Sequence, residues 1–203
     1  GGLAIFNPET GALTARRDLD PGMPQNRSND GACDARGRFW LGTMMNNIGP
    51  MGEDMPITAS TGKLFRIESD GSTTVMETGV GVSNGPCWSP DNKTFYHADS
   101  IRKTIFAYDY DLDTGNIANK RTFARMDYPG GAFDGATVDA EGGVWSAIVY
   151  VGKLIRYAPD GRRTQTVWQA LAPFASSATR PAPFGLRVAA AAYDVVAIWL
   201  LMG

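Results

Sequence analysis

The sequence has few of the residues on which disulfide scaffolds and histidine-based hydrolases depend. Among its 203 residues are two cysteines, Cys33 and Cys87, and a single histidine, His97. Two cysteines are too few for a disulfide framework, and we interpret both as small buried thiols rather than as a bridge. One histidine leaves a Ser-His-Asp hydrolase without a second candidate base, so we interpret His97 as a packed or surface-facing strand residue.

Charge of one sign and long apolar runs are also scarce. The net charge is -2 with the signs interspersed, which offers no basic stripe and argues against nucleic acid as a partner. The most apolar stretch, 195–202, is short and follows Asp194, so we predict no membrane span. No signal peptide is visible and we predict a cytoplasmic protein, with a signal peptide upstream of Gly1 as the open alternative.

Glycine and proline, in contrast, are plentiful, with 24 and 12 residues. Their spacing is that of turns between short strands, which indicates an all-β fold. Four short apolar or aromatic runs are each followed by turn residues such as Asp-Gly or Thr-Gly, and we predict strands that lead into hairpins. The runs are Leu3–Phe6, Leu64–Ile67, Ile105–Tyr108 and Leu154–Tyr157.

The most informative feature is a polar position that returns three times in the same local frame. Asn29, Asn84 and Asp134 start copies that are 55 and 50 residues apart, close to the ~40–50 residues of a propeller blade. Each is followed five residues later by Asp34, Ser89 or Asp139, and eleven residues later by Trp40, Phe95 or Trp145. Equivalent positions of successive blades face a common axis, so these side-chain oxygens would converge on one point. Converging oxygen ligands suit a hard cation.

The length of the chain bears on how many blades are present. Six blades need roughly 250–300 residues, whereas 203 residues hold about four. A partial ring leaves unpaired sheet edges, so we predict a fragment of a larger propeller over residues 1–187. Turn residues then cease, and for residues 188–203 we predict an aberrant apolar tail unlike a propeller blade.

Four stretches of sequence resemble those of a known family. They are Arg27–Gly31 with Gly42–Met44, Ser83–Asp91, Tyr108–Asp111, and Asp134-Gly135 with Trp145. In this order and spacing, from Gly1 to about Val167, the sequence resembles the senescence marker protein / gluconolactonase / regucalcin family. The resemblance implies a six-bladed β-propeller that binds one divalent metal ion at the top of its central channel and hydrolyses sugar lactones or related esters.

The resemblance also implies roles for individual residues. Asn84 and Asp134 correspond to two metal ligands, and Arg27 and Asn29 correspond to a pair that contacts the substrate. The third ligand of the family, a glutamate, would precede the first residue of this chain. A substrate-contacting glutamate of some members falls on Asn47, which leaves the choice of substrate open. The implied cofactor is one divalent ion: calcium, zinc, manganese or magnesium.

These residues suit lactone hydrolysis, in which a carbonyl must be polarised and a water activated. Asp134 can ligate the metal with one oxygen and act as general base with the other, while Arg27 holds sugar hydroxyls or the developing oxyanion. We therefore predict metal-dependent hydrolysis of a small-molecule sugar lactone to the aldonic acid. A non-enzymatic, calcium-binding regucalcin-like propeller and an inactive fragment remain alternatives, since Asn-Gly and Asp-Gly are also ordinary turn pairs.

Overall fold

A computed structural model describes residues 2–168 of the chain, which form an all-β fold. Its strands are β1 Gly2–Phe6, β2 Leu13–Asp18, β3 Asn26–Cys33, β4 Phe39–Met45, β5 Gly62–Ile67, β6 Thr73–Val80, β7 Ser83–Trp88, β8 Thr94–Asp99, β9 Thr104–Asp111, β10 Asn116–Arg125, β11 Ala132–Val138, β12 Val144–Val149, β13 Lys153–Tyr157 and β14 Arg163–Trp168. Within this part of the chain no helix is long and apolar enough to cross a bilayer. The predicted tail at 188–203 and the predicted domain end at 187 lie outside the described residues.

The strands form antiparallel sheets that follow the order of the chain. Three sheets have four strands each, β3-β4-β5-β6, β7-β8-β9-β10 and β11-β12-β13-β14, and β1 pairs with β2 in a two-stranded sheet. Four-stranded meanders of this kind are the blades of a propeller. The first strands are neighbours, because β7 contacts both β3 and β11. Residues 2–168 therefore contain three complete blades and part of another, which agrees with the predicted count of about four.

The predicted repeats coincide with these blades. Asn29, Asn84 and Asp134 lie on the first strands, the aromatic residues that follow them lie on the second strands, and three of the apolar runs form the third strands. Trp40 and Phe95, from adjacent blades, are completely buried, with ring centroids 4.7 Å apart. Such an aromatic pair contributes about 0.5–1.5 kcal/mol beyond its buried area. The prediction that these aromatic residues anchor blade packing is confirmed for this pair.

A buried ion pair makes a second connection between the same two blades. Asp34 Oδ2 accepts hydrogen bonds from Arg38 Nε at 2.7 Å, Trp40 Nε1 at 3.1 Å and Tyr110 OH at 2.7 Å. Tyr110 lies on β9 of the following blade, and the Asp34 side chain is 0% exposed. Burial raises the pKa of Asp34, but the donors from Tyr110, Arg38 and Trp40 outweigh it and hold that pKa below its ordinary value. The carboxylate is therefore charged and fully hydrogen-bonded.

Each first strand has an irregularity in pairing at the repeated polar position. The register shifts fall between Ser28 and Gly31, between Asn84 and Cys87, and between Phe133 and Ala136. In each case the first strand holds one more residue than its partner, which is a β-bulge, and bulges redirect side chains next to functional sites. Gly85, inside the second bulge, has a φ of +56°, which favours glycine.

The two cysteines and the histidine occupy different environments. Both cysteines are free thiols, and Cys87 is buried in an apolar cluster with Tyr96 and Phe133, where burial raises its pKa. Cys33 is exposed, so the prediction of a buried thiol is wrong there, because this residue ends β3 where the chain leaves the sheet. His97 is buried on β8, as a packed strand residue.

Gly42 lies where the second blade touches the third and leaves no room for a side chain. A Cβ at this position would lie 1.6 Å from Ser83 Oγ, and Ser83 is completely buried and hydrogen-bonded with His97 Nε2 at 2.7 Å. We expect Gly42→Ala to lower the free energy of unfolding by about 1–3 kcal/mol, measured by urea denaturation. Gly22→Ala is the control, because a Cβ there meets nothing within 4 Å. Equal destabilisation by both substitutions would contradict this account of the blade contact.

Candidate functional site

Three of the predicted site residues form a continuous chain of hydrogen bonds between two blades. Arg27 Nη1 donates to Asn29 Oδ1 at 2.9 Å. Asn29 Nδ2 donates to Asn84 Oδ1 at 3.0 Å and to the Ser83 carbonyl oxygen at 2.8 Å. Arg27 and Asn29 lie on β3 and Asn84 lies on β7, so the chain joins the first strands of adjacent blades. Of the three repeated polar positions, the structure joins Asn29 and Asn84 directly, and Arg27 extends the contact on β3.

The surroundings of Asn84 determine which end of its amide faces Asn29. Its Nδ2 donates to Ser100 Oγ at 2.9 Å and to the Phe133 carbonyl oxygen at 3.5 Å. Ser100 Oγ in turn donates to the Phe133 carbonyl at 2.6 Å, so it accepts from Asn84. The oxygen of the Asn84 amide therefore points to Asn29, and an amide oxygen is the atom that a hard cation binds.

Asp134 lies at the equivalent position of the next blade, on β11, close to the backbone of β7. A Cβ on Gly85 would lie 3.1 Å from the Asp134 carbonyl oxygen, and Asp30 Oδ2 accepts from Gly85 N at 2.7 Å. Burial raises the pKa of Asp134 and the charge of Asp30 raises it further, while the Gly135 N–H lowers it in part. Burial also raises the pKa of Asp30. Two partly buried carboxylates that repel one another are stabilised by a bound cation.

The donors present fit part of a site for a hard cation. The Asp30 oxygens accept from the backbone N–H groups of Gly31 and Gly85, and Asn84 Oδ1 accepts from Asn29, but each oxygen keeps a further lone pair. Within residues 2–168 no three His, Cys, Asp or Glu side chains are grouped so that they could hold a metal ion. A cation bound here would therefore need neutral oxygens, such as the Asn84 amide oxygen, beside the Asp134 carboxylate.

Arg27 stands at the opposite end of this chain of contacts. Its Nε and Nη2 donate to Asn47 Oδ1 at 3.0 and 2.8 Å, and its Nη1 also donates to the Ser28 carbonyl oxygen at 3.0 Å. Asn47 follows the end of β4, so the first and second strands of one blade hold the guanidinium between them. Burial lowers the pKa of Arg27. The guanidinium is fixed in one orientation by its planar set of donors.

Sequence reasoning missed two residues that shape this site. Asp30 ties β3 to the backbone of β7, and Ser100 orients the Asn84 amide. A signal for Asp30 was available, because it is an acidic residue directly after Asn29, where the other two copies have glycine. No local signal marks Ser100, since it reaches Asn84 only through the pairing of β7 with β8.

Comparison with known proteins agrees with this fold. The model of the family described as the SMP-30/Gluconolactonase/LRE-like region matches residues 1–181. The chain belongs to this family. Regucalcin of Xenopus laevis is 38% identical over 166 residues, which are 81% of this chain and 54% of that protein. Regucalcin of Gallus gallus is 36% identical over 156 residues, 76% of this chain and 51% of that protein.

Solved structures of the SMP-30/gluconolactonase family have the same architecture. A calcium-binding regucalcin from Agrobacterium tumefaciens superposes with a TM-score of 0.71 at 29% identity, over 81% of this chain and 53% of its own. A luciferin-regenerating enzyme superposes with a TM-score of 0.69 at 30% identity, over 77% of this chain and 51% of its own. The β-propeller prediction is therefore confirmed, and the chain spans about half the length of the curated relatives it matches.

Proposed function

We propose that the protein to which this chain belongs is a metal-dependent hydrolase that opens a sugar lactone to the aldonic acid. The observation that supports this most directly is the contact chain Arg27–Asn29–Asn84 beside Asp134. Arg27 supplies a fixed cationic donor, the Asn84 amide supplies an oxygen ligand, and Asp134 supplies a carboxylate at the equivalent position of the next blade. Membership of the SMP-30/Gluconolactonase/LRE-like family adds support.

The proposed roles follow from the chemistry of each side chain. Asn84 Oδ1 and one Asp134 oxygen would hold one divalent ion: calcium, zinc, manganese or magnesium. Such an ion, when bound, polarises the lactone carbonyl and makes a nearby water more acidic. The other Asp134 oxygen would take a proton from the water as its oxygen bonds to the carbonyl carbon; the ring C–O bond then breaks, and the ring oxygen takes up that proton and becomes a hydroxyl. Arg27 would orient the sugar with its remaining Nη2 N–H, and Asn29 with the N–H that donates to Asn84 Oδ1, once an ion takes that oxygen.

A second candidate function is calcium binding without turnover. A calcium-binding protein, the Agrobacterium tumefaciens regucalcin, is among the similar structures. We assign the base to Asp134 rather than to Asp30, because backbone N–H groups on both Asp30 oxygens stabilise its charged form. A cation that engaged both Asp134 oxygens would leave the site with a bound ion and without a base.

Metal removal separates the two candidates. We expect the full-length protein to lose hydrolysis of glucono-1,5-lactone after dialysis against EDTA, and to regain it when a divalent cation is added, because the lactone carbonyl is then polarised. Acid release in a pH-stat measures the rate. Calcium binding in calorimetry without acid release above the uncatalysed rate would favour the second candidate. Undiminished hydrolysis after chelation would contradict metal dependence.

A further inference from the structure

Among the residues that the structure describes, the other strongly buried arginines pair with carboxylates. The pairs, with the exposed fraction of each arginine side chain, are Arg38 with Asp34 (8%), Arg66 with Glu68 (12%) and Arg156 with Asp139 (12%). This is the general pattern, since a charge removed from water is costly unless it is compensated. Arg27 departs from the pattern.

Every acceptor around Arg27 is a neutral oxygen. The guanidinium donates to the amide oxygens of Asn29 and Asn47 and to the carbonyl oxygen of Ser28. Over residues 2–168 it forms no salt bridge, although the side chain is partly buried. The hydrogen bonds fix its position, but its positive charge is left without a compensating anion from the described residues.

Carboxylates are nearby in sequence but do not pair with Arg27. Glu53 and Asp54 lie in the loop that follows Asn47, and neither forms a salt bridge with the guanidinium. Glu53 Oε2 instead accepts a hydrogen bond from the Met51 N–H at 2.9 Å. The guanidinium of Arg27 is therefore left without a counter-charge even though the loop after Asn47 contains two acidic residues.

We propose that Arg27 binds an anionic group, a carboxylate or a phosphate, on the part of the sugar lactone remote from the reacting carbonyl, and that Asn47 sets this preference by leaving the guanidinium uncompensated. The inference rests on the proposed lactonase function and names its substrate class. The direction follows from the order of contacts, because Asn29 separates Arg27 from the cation-binding oxygen of Asn84. Four of the five guanidinium N–H groups donate to the neutral oxygens, so one Nη2 N–H is left to donate to the anion, which the uncompensated charge attracts.

Asn47 is the residue at which the preference can be tested. A glutamate there would offer two charged oxygens to the Nε and Nη2 edge that now donates to a single amide oxygen. The resulting bidentate pair would neutralise Arg27 and repel an incoming anion. A glutamine would keep a neutral acceptor of the same length as glutamate. Asn47→Gln is thus the matched control for Asn47→Glu.

The test compares neutral and anionic lactones of equal ring size on the full-length protein with its divalent ion. One pair is glucono-1,4-lactone and glucaro-1,4-lactone, which differ by a carboxylate; the other is glucono-1,5-lactone and its 6-phosphate. We expect kcat/KM to favour the anionic member of at least one pair by about tenfold or more, and the pair that shows it identifies the anion. The preference should weaken with added NaCl, because a partly exposed charge is screened. Asn47→Glu should remove it and Asn47→Gln should keep it.

A binding measurement separates this inference from the proposed function. Glucarate and gluconate differ by one carboxylate, and calorimetry compares their affinities without any turnover. Glucarate should bind more tightly than gluconate, and this difference should be lost in Asn47→Glu and kept in Asn47→Gln. If that result is obtained but no lactone is hydrolysed, the anion site stands and the lactonase proposal alone fails. Equal kcat/KM within both lactone pairs, or equal effects of the two Asn47 substitutions, would overturn the inference.

Discussion

Replacement of Asp134 with alanine is expected to reduce lactone hydrolysis to near the uncatalysed rate. The substitution removes a metal ligand and the proposed base together, and loss of a general base alone lowers a rate by about 10²–10⁴-fold. Asp134→Asn separates the two roles, because an amide oxygen can bind a cation but cannot accept the proton. We expect Asp134→Asn to bind the divalent ion in calorimetry while turnover in a pH-stat stays close to background.

Two neighbouring substitutions serve as controls for Asp134. Asn84→Ala removes only a ligand, so it should raise the metal concentration needed for half-maximal turnover, with activity partly restored at high metal concentration. Arg27→Ala should leave metal affinity unchanged and impair use of the substrate. Substantial metal-dependent turnover in Asp134→Ala would show that another carboxylate is the base.

Replacement of Asp34 with alanine is expected to have the largest effect on stability, about 3–5 kcal/mol in the free energy of unfolding. Its side chain is 0% exposed, and its removal would leave Arg38 buried without a counter-charge and Trp40 Nε1 and Tyr110 OH without their acceptor. Loss of the Asp34 charge accounts for most of the destabilisation, because the buried Arg38 guanidinium is then uncompensated and poorly solvated. Urea denaturation of the full-length protein measures the change.

The fourth blade supplies a matched control for this prediction. Asp139 accepts from Arg156 Nε at 2.6 Å and from Trp145 Nε1 at 2.9 Å, as Asp34 does from Arg38 and Trp40, but its side chain is 28% exposed. We expect Asp139→Ala to destabilise the protein less than Asp34→Ala, because Arg156 would keep Glu141 as a counter-charge at 3.0 Å, whereas Arg38 would keep none. The reverse order would contradict the view that the uncompensated charge on Arg38 is the main cost.

The stabilisation by Asp34 should also depend on pH. Its pKa in the folded protein lies below the ordinary value of 3.8, so the unfolded chain takes up the proton first as the pH falls. The contribution of Asp34 to the free energy of unfolding is complete at pH values well above 3.8, and it is lost as the pH falls through the pKa of Asp34 in the folded protein. The difference in unfolding free energy between the wild type and Asp34→Asn should therefore narrow on acidification from neutral pH.

The sequence by itself determined the blade architecture of this chain. The polar position that recurs at Asn29, Asn84 and Asp134 and the aromatic residue eleven positions later are features of one blade repeated along the chain. Such signals are readable because each blade is a local meander whose strands follow one another directly and are joined by glycine-rich turns. The exposure of Cys33 was missed because it depends on where the strand ends, which turn patterns locate only within a few residues.

Tertiary structure alone decided how the site is arranged. Asn29 contacts Ser83 across 54 residues, Asn84 approaches Phe133 across 49, and Asp30 accepts from Gly85 across 55. These contacts depend on the bulges in the first strands and on how adjacent blades sit together, neither of which is written in a local pattern. The sequence thus specified which polar residues occupy equivalent positions on the first strands. Only the packed blades decided that the Asn84 oxygen faces Asn29, because the partners that orient this amide, Ser100 and the Phe133 carbonyl, lie in other parts of the chain.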